Sequence, residues 1–453
     1  MDIIAAISTA PAASGIGIVR VSGEGCFALC ERVFRAANSR PLADQPPRKM
    51  VYGDMLDSAG RVIDRGLAVR FPGPHSFTGE DIVELNCHGS PVVLREVLAA
   101  LFAAGARQAG AGEFTRRAFL NGRLDLTEAE AVIDLIDAQT PAAARNAAAQ
   151  LDGALRRMLS PVQEALLEVT SRFYAVVDYP DEDIEDIGPE EIAASLTQAQ
   201  SALTRLLGTT QRGKILKNGV RTAIVGRPNA GKSSLLNALA GYERAIVTDI
   251  PGTTRDTVEE SVLCGEVQLR LIDTAGIRET EDAVEKLGVE RSRAAMESAD
   301  LVLCVVDGTA GITAGDEELL RAAARCPHHI LVLSKRDLSP ARYTGPLTPD
   351  AVISLSSVTG EGLDTLEDAI AALFPAGSNA DAGALLTDAR QEEAALRARR
   401  AVLRAREALK AGFTPDAILT DAEEALEAIG ELTGRTAKEE IVERIFSRFC
   451  VGK

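Results

Sequence analysis

The chain has 453 residues, of which 46% are hydrophobic and 25% charged, so it is long enough for about three globular domains. Its formal net charge of −17 argues against a protein that grips a long nucleic acid unaided, because neutralised phosphates dominate such binding. No run of about 18 apolar residues predicts a membrane span. The first residues favour a strand over a signal peptide. The odd number of scattered cysteines favours a reducing cytoplasm.

Residues 1–118 alternate strand-like and helix-like stretches, which predicts an α+β domain. The segment 15–22 has the period of two expected of a strand, and Ser90-Pro91 has the residue types that start a helix. Arg20 lies on the same side of its strand as apolar residues, and Glu84 has apolar neighbours. A charge in such a place needs a partner, so a structural Arg–Glu pair and a ligand site both remain open.

Helical patterns dominate the chain on both sides of its middle. We expect a capping box at Thr127–Glu130, on a helix with an apolar face that reaches Ile136. The acidic stretch 178–191 lacks the spacing of a calcium loop and is interpreted as a solvated linker. The basic residues between 390 and 410 favour a solvated helix face over an RNA-binding patch, because mixed charges are usual on exposed helices.

Residues 216–377 differ from their flanks, because apolar strand-like runs alternate there with helix-like segments. The pattern predicts a multidomain α/β and α protein. It would consist of an N-terminal α+β domain (1–118) and an α/β domain (216–377) inserted between the two halves of a helical domain (119–215 and 378–453).

Near the start of the inserted domain, Gly226–Ser233 reads Gly-Arg-Pro-Asn-Ala-Gly-Lys-Ser. An apolar strand-like run precedes it and a helical pattern follows, which is the context that a phosphate-binding loop requires. There, backbone N–H groups surround the phosphates, Lys232 reaches the β- and γ-phosphates, and Ser233 offers a hydroxyl to Mg²⁺. We therefore predict a nucleotide site at this loop.

Three downstream motifs favour GTP over ATP. Asp273–Gly276 can hold Mg²⁺ through water and sense a γ-phosphate, and Gly252–Asp256 supplies a threonine for Mg²⁺. Asp337 can accept two protons from guanine, a donor pair that adenine lacks. The usual first residue of this guanine motif is Asn, and this chain has Ser334, so we expect a somewhat lower affinity.

The catalytic group is harder to identify from the residues. Ile277 occupies the place of the glutamine that orients water in Ras-type enzymes. A partner or a nearby carboxylate must replace it, and the candidates are Glu279, Glu281, Asp282 and Glu285. Arg255 and Arg278 are candidate arginine fingers, and either is equally a candidate surface residue.

The whole chain resembles the bacterial tRNA-modification GTPase family MnmE, also called TrmE. The resemblance rests on Gly226–Leu239, Ile246–Asp256, Phe71–Asp81, Asn121–Asp125 and the tail Phe449–Lys453. It implies a Ras-like GTPase domain and an N-terminal domain that binds a tetrahydrofolate derivative (the 5,10-methylene or 5-formyl form) and forms a homodimer.

The resemblance also assigns residues. It implies Glu285 as the water-orienting residue, Ser233 and Thr254 as Mg²⁺ ligands, and K⁺ ligands at Asn229, Thr248, Ile250 and Thr253. Folate contacts map to Arg20, Glu84, Arg123 and Lys453, with Arg123 in place of a lysine seen in some members. The implied GTP-binding residues are Asn229, Ala230, Gly231, Lys232, Ser233, Ser234, Thr248, Asp249, Ile250, Pro251, Gly252, Thr253, Thr254, Asp273, Thr274, Ala275, Gly276, Ser334, Lys335, Arg336, Asp337, Ser356, Ser357 and Val358.

The function that the resemblance implies is modification of the tRNA wobble uridine, with GTP hydrolysis that depends on K⁺ and on dimerisation of the GTPase domains. An FAD-dependent partner of the MnmG (GidA) type would join the homodimer in a heterotetramer. One alternative is a ribosome-assembly or signalling GTPase, which leaves the N-terminal domain and the tail unexplained. Another is a folate-dependent one-carbon enzyme with a regulatory GTPase insert, which folate turnover without GTP would support.

Overall fold

The computed structural model describes residues 2–178, 188–242, 260–272, 295–339, 342–375 and 383–453. Among the helices of these ranges, none combines the length and the hydropathy needed to cross a membrane. The chain divides into two compact units. The first comprises Met1–Ile133, Leu151–Gln200 and Arg397–Lys453, and the second comprises Asp134–Gln150 and Ser201–Leu396. The domain bounds expected above stay predictions.

A seven-stranded sheet organises the N-terminal part of the first unit, in the order β3-β4-β5-β6-β2-β1-β7. All neighbouring strands are antiparallel except β1 and β7. The strands are β1 (Ile4–Ile7), β2 (Ser14–Ser22), β3 (Phe34–Ala36), β4 (Val51–Leu56), β5 (Val62–Phe71), β6 (Ile82–Gly89) and β7 (Arg107–Gln108), and the helices α1 (Cys26–Cys30), α2 (Pro91–Ala103) and α3 (Glu113–Leu120) accompany them.

The predicted strand at 15–22 is confirmed as β2, and its alternation decides which face is buried. Val19 and Val21 point into the core, where α2 covers the sheet. A Cβ on Gly17 would lie 2.5 Å from the side chain of Leu94, so only glycine allows this close approach of β2 to α2. The predicted helix start is also confirmed, with Ser90 at the N-cap of α2.

The helical segments form α4 (Leu126–Asp137), α5 (Pro141–Leu151), α6 (Ala154–Asp178), α7 (Pro189–Leu207) and α8 (Thr210–Asn218) before the inserted sheet, and α12 (Ala389–Lys410), α13 (Pro415–Thr433) and α14 (Glu439–Phe446) after it. The capping box predicted at Thr127–Glu130 is wrong by two residues. The Asp125 carboxylate accepts from the Glu128 N–H, and the Glu128 carboxylate accepts from the Asp125 N–H, each over 2.8 Å. Ile136 is half exposed, so the apolar face ends before it.

A six-stranded sheet organises the second unit, in the order β13-β12-β11-β8-β10-β9. Five strands are parallel, and β9 pairs antiparallel with β10. The strands are β8 (Val220–Val225), β9 (Glu260–Cys264), β10 (Val267–Leu271), β11 (Leu301–Asp307), β12 (His328–Ser334) and β13 (Ala351–Ser354), with α9 (Lys232–Tyr242), α10 (Ala314–Ala323) and α11 (Leu363–Leu373) among them. The apolar runs predicted five of these strands and missed β9, whose alternation is weaker.

Candidate functional site

The segment between β8 and α9 has the backbone of an anion-binding loop. Asn229 and Gly231 adopt left-handed conformations, with φ of 62° and 99°, and α9 begins immediately afterwards at Lys232. Such a turn exposes backbone N–H groups at a helix N-terminus, where the helix dipole favours negative charge. A Cβ on Gly226 would lie 2.3 Å from the carbonyl oxygen of Val305, so the loop packs directly on the neighbouring strand. The geometry fits a bound phosphate.

Lys232 supplies the positive charge of this loop. Its Nζ donates to the carbonyl oxygens of Gly226 and Arg227 over 2.8 and 2.9 Å. Burial lowers the pKa of the ammonium, because the surrounding protein solvates the charge less well than water does. Carbonyl dipoles hold the charge without neutralising it, so the ammonium can still pair with a phosphate.

Ser334 joins the guanine motif to the phosphate loop. Its buried hydroxyl lies 2.6 Å from the carbonyl oxygen of Ala230 and 3.1 Å from that of Val306, and its single proton can be donated to either. A Cβ on Gly231 would lie 3.3 Å from the Ser334 side chain, so the two loops are in close contact. The residue that departs from the usual motif therefore has a defined hydrogen-bonding role.

We predict that Ser334→Ala weakens the binding of GTP and GDP to a similar degree, by about fivefold, since a lost buried hydrogen bond costs about 1 kcal/mol. The loss should be similar for both nucleotides because Ser334 acts on the loop that cradles the phosphates they share. Titration with a fluorescent guanine nucleotide measures the effect. Wild-type affinity in a folded variant would contradict this role of the bridge.

The remaining guanine-site candidates lie at the same edge of the sheet. Lys335 follows β12 with its Nζ 2.5 Å from an Asp307 oxygen, and Asp337 carries an exposed side chain. Beyond β13, the buried Ser356 hydroxyl accepts from the N–H groups of Val358 and Thr359 over 3.3 and 3.2 Å. The carboxyl ends of β8, β11, β12 and β13 thus meet here, as expected of a ligand site in a parallel sheet.

Several predicted residues fall outside the described ranges. They are Thr248, Asp249, Ile250, Pro251, Gly252, Thr253, Thr254, Asp273, Thr274, Ala275, Gly276 and Glu285, the candidates Arg255, Arg278, Glu279, Glu281 and Asp282, and residues 179–187 of the acidic stretch. The K⁺ ligand that the structure describes is Asn229, and the described Mg²⁺ ligand is Ser233 in the first turn of α9. Their assigned roles stay predictions.

In the first unit, Arg20 and Glu84 face each other directly across β2 and β6. The closest nitrogen–oxygen distance is 2.8 Å, and each side chain is about one fifth exposed. The Arg20 guanidinium also lies 5.8 Å from the centre of the Phe77 ring and 5.7 Å from that of Phe114. The Arg–Glu pair left open by the sequence is therefore formed, on the sheet face opposite the α2-covered core, between two aromatic rings.

Arg20, Glu84, Phe77 and Phe114 form a group that we call the N-terminal cluster. The C-terminal tail reaches this cluster. The Phe114 N–H donates to the carbonyl oxygen of Lys453 over 3.1 Å, and the Ser8 hydroxyl donates to that of Gly452 over 3.0 Å. A Cβ on Gly79 would be 3.3 Å from the side chain of Arg123. Arg20 and the Lys453 backbone thus both contact Phe114, and Glu84 pairs with Arg20. Arg123 lies beside the loop that carries Phe77.

Two family models match the chain. Residues 3–123 match the family model for the GTP-binding protein TrmE N-terminus, and residues 126–450 match that for the MnmE helical domain. The chain belongs to the MnmE family. The tRNA modification GTPases MnmE of Symbiobacterium thermophilum and Heliobacterium modesticaldum are each 45% identical to it, over 100% of this chain and 99% of theirs. A solved Era of Aquifex aeolicus bound to GDP and AlF₄⁻ covers 40% of this chain and 66% of its own, at 30% identity and a TM-score of 0.27, and adds nothing to the assignment.

Membership in the MnmE family identifies the chain as a GTPase of tRNA modification. The predicted fold class is confirmed as well: a TrmE-type N-terminal domain, a helical domain and a P-loop GTPase domain. The basic stretch of α12 agrees with the interpretation as an ordinary helix face. Arg397 pairs with Glu431, and Arg404 pairs with Asp421 over 2.8 Å, so acidic residues of α13 neutralise part of the charge.

Sequence reasoning missed one structural network beside the N-terminal cluster. Arg117 is 3% exposed and donates to Asp2, Glu80 and Glu113 over 2.9 to 3.1 Å. Glu80 in turn accepts from the Ser22 hydroxyl over 2.9 Å, which attaches the loop bearing Phe77 to β2. The signal in the sequence was an arginine between Phe114 and Ala118 on a buried helix face, which needs acidic partners.

Arg117→Met should destabilise the N-terminal domain by about 3 kcal/mol, because it takes this cation away from the largely buried Glu80 carboxylate, whereas Asp2 and Glu113 keep their ion pairs with Arg107. Urea unfolding of the full chain, with amide exchange of β1 as a local probe, measures the loss. Arg116→Met is the matched control, since the ion pair of Arg116 with the exposed Glu439 is long, at 3.9 Å. We expect the control to lose less than about 1 kcal/mol. Equal losses in both variants would contradict the role of the network.

Proposed function

We propose that the chain uses GTP hydrolysis to help add a (carboxymethyl)aminomethyl group to C5 of the wobble uridine, U34, of certain tRNAs. It would act in the cytoplasm in a heterotetramer with an FAD-dependent partner of the MnmG (GidA) type. The observation that carries the proposal is the N-terminal cluster with its Arg20–Glu84 ion pair. The carbonyl oxygen of the tail residue Lys453 accepts a hydrogen bond from Phe114 of this cluster. A GTPase that only switches has no need of this second site.

The chemistry of the cluster suits a reduced folate as the one-carbon donor. Folate carries carboxylates, with which Arg20, Arg123 and Lys453 can form ion pairs. Its pterin ring carries N–H groups, from which the Glu84 carboxylate can accept hydrogen bonds. The rings of Phe77 and Phe114 flank the same place. When bound, the 5,10-methylene or 5-formyl form would supply the one-carbon unit.

Folate binding can be tested separately from tRNA modification. Titration of 5-formyltetrahydrofolate should give saturable binding to the wild-type chain and at least about tenfold weaker binding to Glu84→Gln, which loses a charge-assisted hydrogen bond. Asp54→Asn is the control, because Asp54 also pairs with arginines on the same sheet, Arg35 and Arg65, away from the cluster. No binding by the wild-type chain, or equal binding by both variants, would refute the folate site.

For hydrolysis, we propose that GTPase domains dimerise across K⁺. Asn229 is exposed in the phosphate loop, where an amide oxygen can ligate a cation beside the phosphates together with Thr248, Ile250 and Thr253. Such a cation neutralises charge that develops in the transition state. Mg²⁺ would be held by Ser233 and Thr254, and Glu285 would orient the attacking water. Replacing K⁺ by Na⁺ should depress turnover, and an equal rate in both salts would refute the cation model.

The N-terminal sheet supports a constitutive homodimer. Ile16 and Tyr52 are 64% and 55% exposed, and Tyr52, Leu67, Asn86 and Ile18 form one cross-strand row on the open face. Exposed apolar residues gathered on one face favour association, and a second copy would cover them. Light scattering on the purified chain tests this. A monomer at micromolar concentration would refute the proposal.

The modification itself is tested by deleting the gene and analysing tRNA nucleosides by mass spectrometry. We expect loss of the C5 modification at U34 and its recovery with the wild-type gene. Unchanged nucleosides, together with co-purification of the chain with ribosomal particles, would favour the alternative of a ribosome-assembly GTPase.

A further inference from the structure

Asp307 ends β11 next to the guanine motif, and the motif assigns it no role. Its neighbour in the sheet is Ser334, the last residue of β12, so Asp307 lies beside the start of the guanine loop. One carboxylate oxygen is 2.5 Å from Lys335 Nζ. The other accepts from the N–H and the hydroxyl of Thr309, over 2.9 and 2.7 Å. Asp307 is therefore fixed on one side and binds Lys335 on the other.

The backbone of Lys335 is held as firmly as its side chain. Its φ is 59°, in the left-handed region that side chains with a Cβ rarely adopt. On one side of it, the Ser334 carbonyl oxygen accepts from the Gly308 N–H over 3.1 Å; on the other, the Arg336 N–H donates to the Leu355 carbonyl oxygen over 3.1 Å. A strained conformation that neighbouring strands enforce is a feature of binding loops.

The contact with Lys335 also affects the protonation of Asp307. The Lys335 ammonium and the Thr309 hydroxyl lower the pKa of Asp307 to about 2, so the carboxylate is charged well below neutral pH. The Lys335 side chain is about one third exposed, so it borders the open side of the loop. A free lysine would lose rotamer entropy on contact with a ligand, whereas one already held by Asp307 loses less.

We propose that Asp307 is a positioning residue of the guanine site, which sets the affinity for guanine nucleotides by holding Lys335 in place and does not touch the nucleotide. The proposal rests on the guanine site predicted from the motif 334–337. A merely structural Asp307 would instead tie the ends of β11 and β12 together and act independently of Lys335.

The first test is the affinity of the full chain for GTP and GDP after Asp307→Asn. We expect both dissociation constants to rise about tenfold, with the rate at saturating GTP unchanged. Asp300→Asn is the matched control, because Asp300 directly precedes β11, at the end opposite Asp307, and forms a two-point ion pair with Arg221 of β8. Wild-type affinity in Asp307→Asn, or an equal loss in Asp300→Asn, would overturn the proposal.

A double-mutant cycle distinguishes positioning from structure. In a Lys335→Met chain, adding Asp307→Asn should change the affinity less than twofold. A full tenfold loss on that background would overturn the proposal. If Asp307→Asn does not fold, Thr309→Val replaces it, since it removes only the hydroxyl that fixes Asp307. We then expect a smaller loss of affinity that also vanishes with Lys335→Met, and wild-type affinity would overturn the proposal.

Failure of the guanine site itself gives a different result. If Asp337→Asn leaves base preference unchanged, the guanine site is wrong and this proposal falls with it. If Asp337→Asn alters base preference while Asp307→Asn binds normally, the guanine site stands and only the role of Asp307 is refuted.

Discussion

Asp337→Asn should weaken GTP binding by at least about 100-fold and admit xanthosine triphosphate. The wild-type carboxylate accepts two protons from guanine, and a site built on paired hydrogen bonds rejects partners that cannot form them. Xanthine carries a carbonyl where guanine carries an amino group, so the amide of the variant suits it. Asp337 has an exposed side chain at the loop after β12, where the change disturbs little packing. Competition with a fluorescent guanine nucleotide measures both affinities.

The control for this exchange is Asp350→Asn. Asp350 lies in the same sheet at the other end of β12, where its carboxylate accepts from the His329 N–H over 2.8 Å. We expect unchanged nucleotide preference there. If the Asp337→Asn variant still binds GTP in preference to xanthosine triphosphate, with wild-type affinity, the motif 334–337 does not recognise the guanine base.

The second large effect is expected from Lys232→Met. The ammonium lies over the phosphate loop between two carbonyl oxygens, and a phosphate bound there would meet its charge directly. Removing one such group from a preorganised site slows turnover by about 100- to 1,000-fold. Release of inorganic phosphate from GTP, measured at several GTP concentrations, separates the loss in binding from the loss in turnover.

Lys214→Met serves as the control for Lys232→Met. Lys214 is on α8 and pairs with Glu392 over 2.6 Å, away from the phosphate loop. Its removal takes away the same charge and should leave GTP hydrolysis within about twofold of wild type, because this partly exposed lysine bonds to Glu392 of α12 rather than to the phosphate loop. A similar collapse in both variants would show that net charge, and not position, governs the rate.

The nucleotide site was largely predictable because its geometry is local. Gly226, Gly231 and Lys232 lie within one turn, and glycines at fixed offsets already imply the loop conformation. The parallel strands were predictable for a similar reason, since runs such as Leu301–Val306 are apolar throughout. β9 was missed because an antiparallel edge strand needs no such run.

The N-terminal cluster was predictable only in part, because its contacts join distant positions. The alternation of β2 placed Arg20 on the face opposite Val19, but only the register with β6 identifies Glu84 as its partner. Arg117 and Asp2 are 115 positions apart, and no local pattern encodes their contact. Asp307 is similar, since its pairing with Lys335 depends on which strands are neighbours.

The attachment of the tail to the N-terminal sheet has a consequence for biosynthesis. Ser8 and Gly452, which share a hydrogen bond, are 444 positions apart. On the ribosome, the strands around Arg20 emerge first and must wait for nearly all of the remaining chain before Lys453 can join them. A chain interrupted by a premature stop after the inserted α/β domain would therefore carry a complete phosphate loop and an unfinished second site. Such fragments would retain the predicted GTP site and lack part of the proposed folate site.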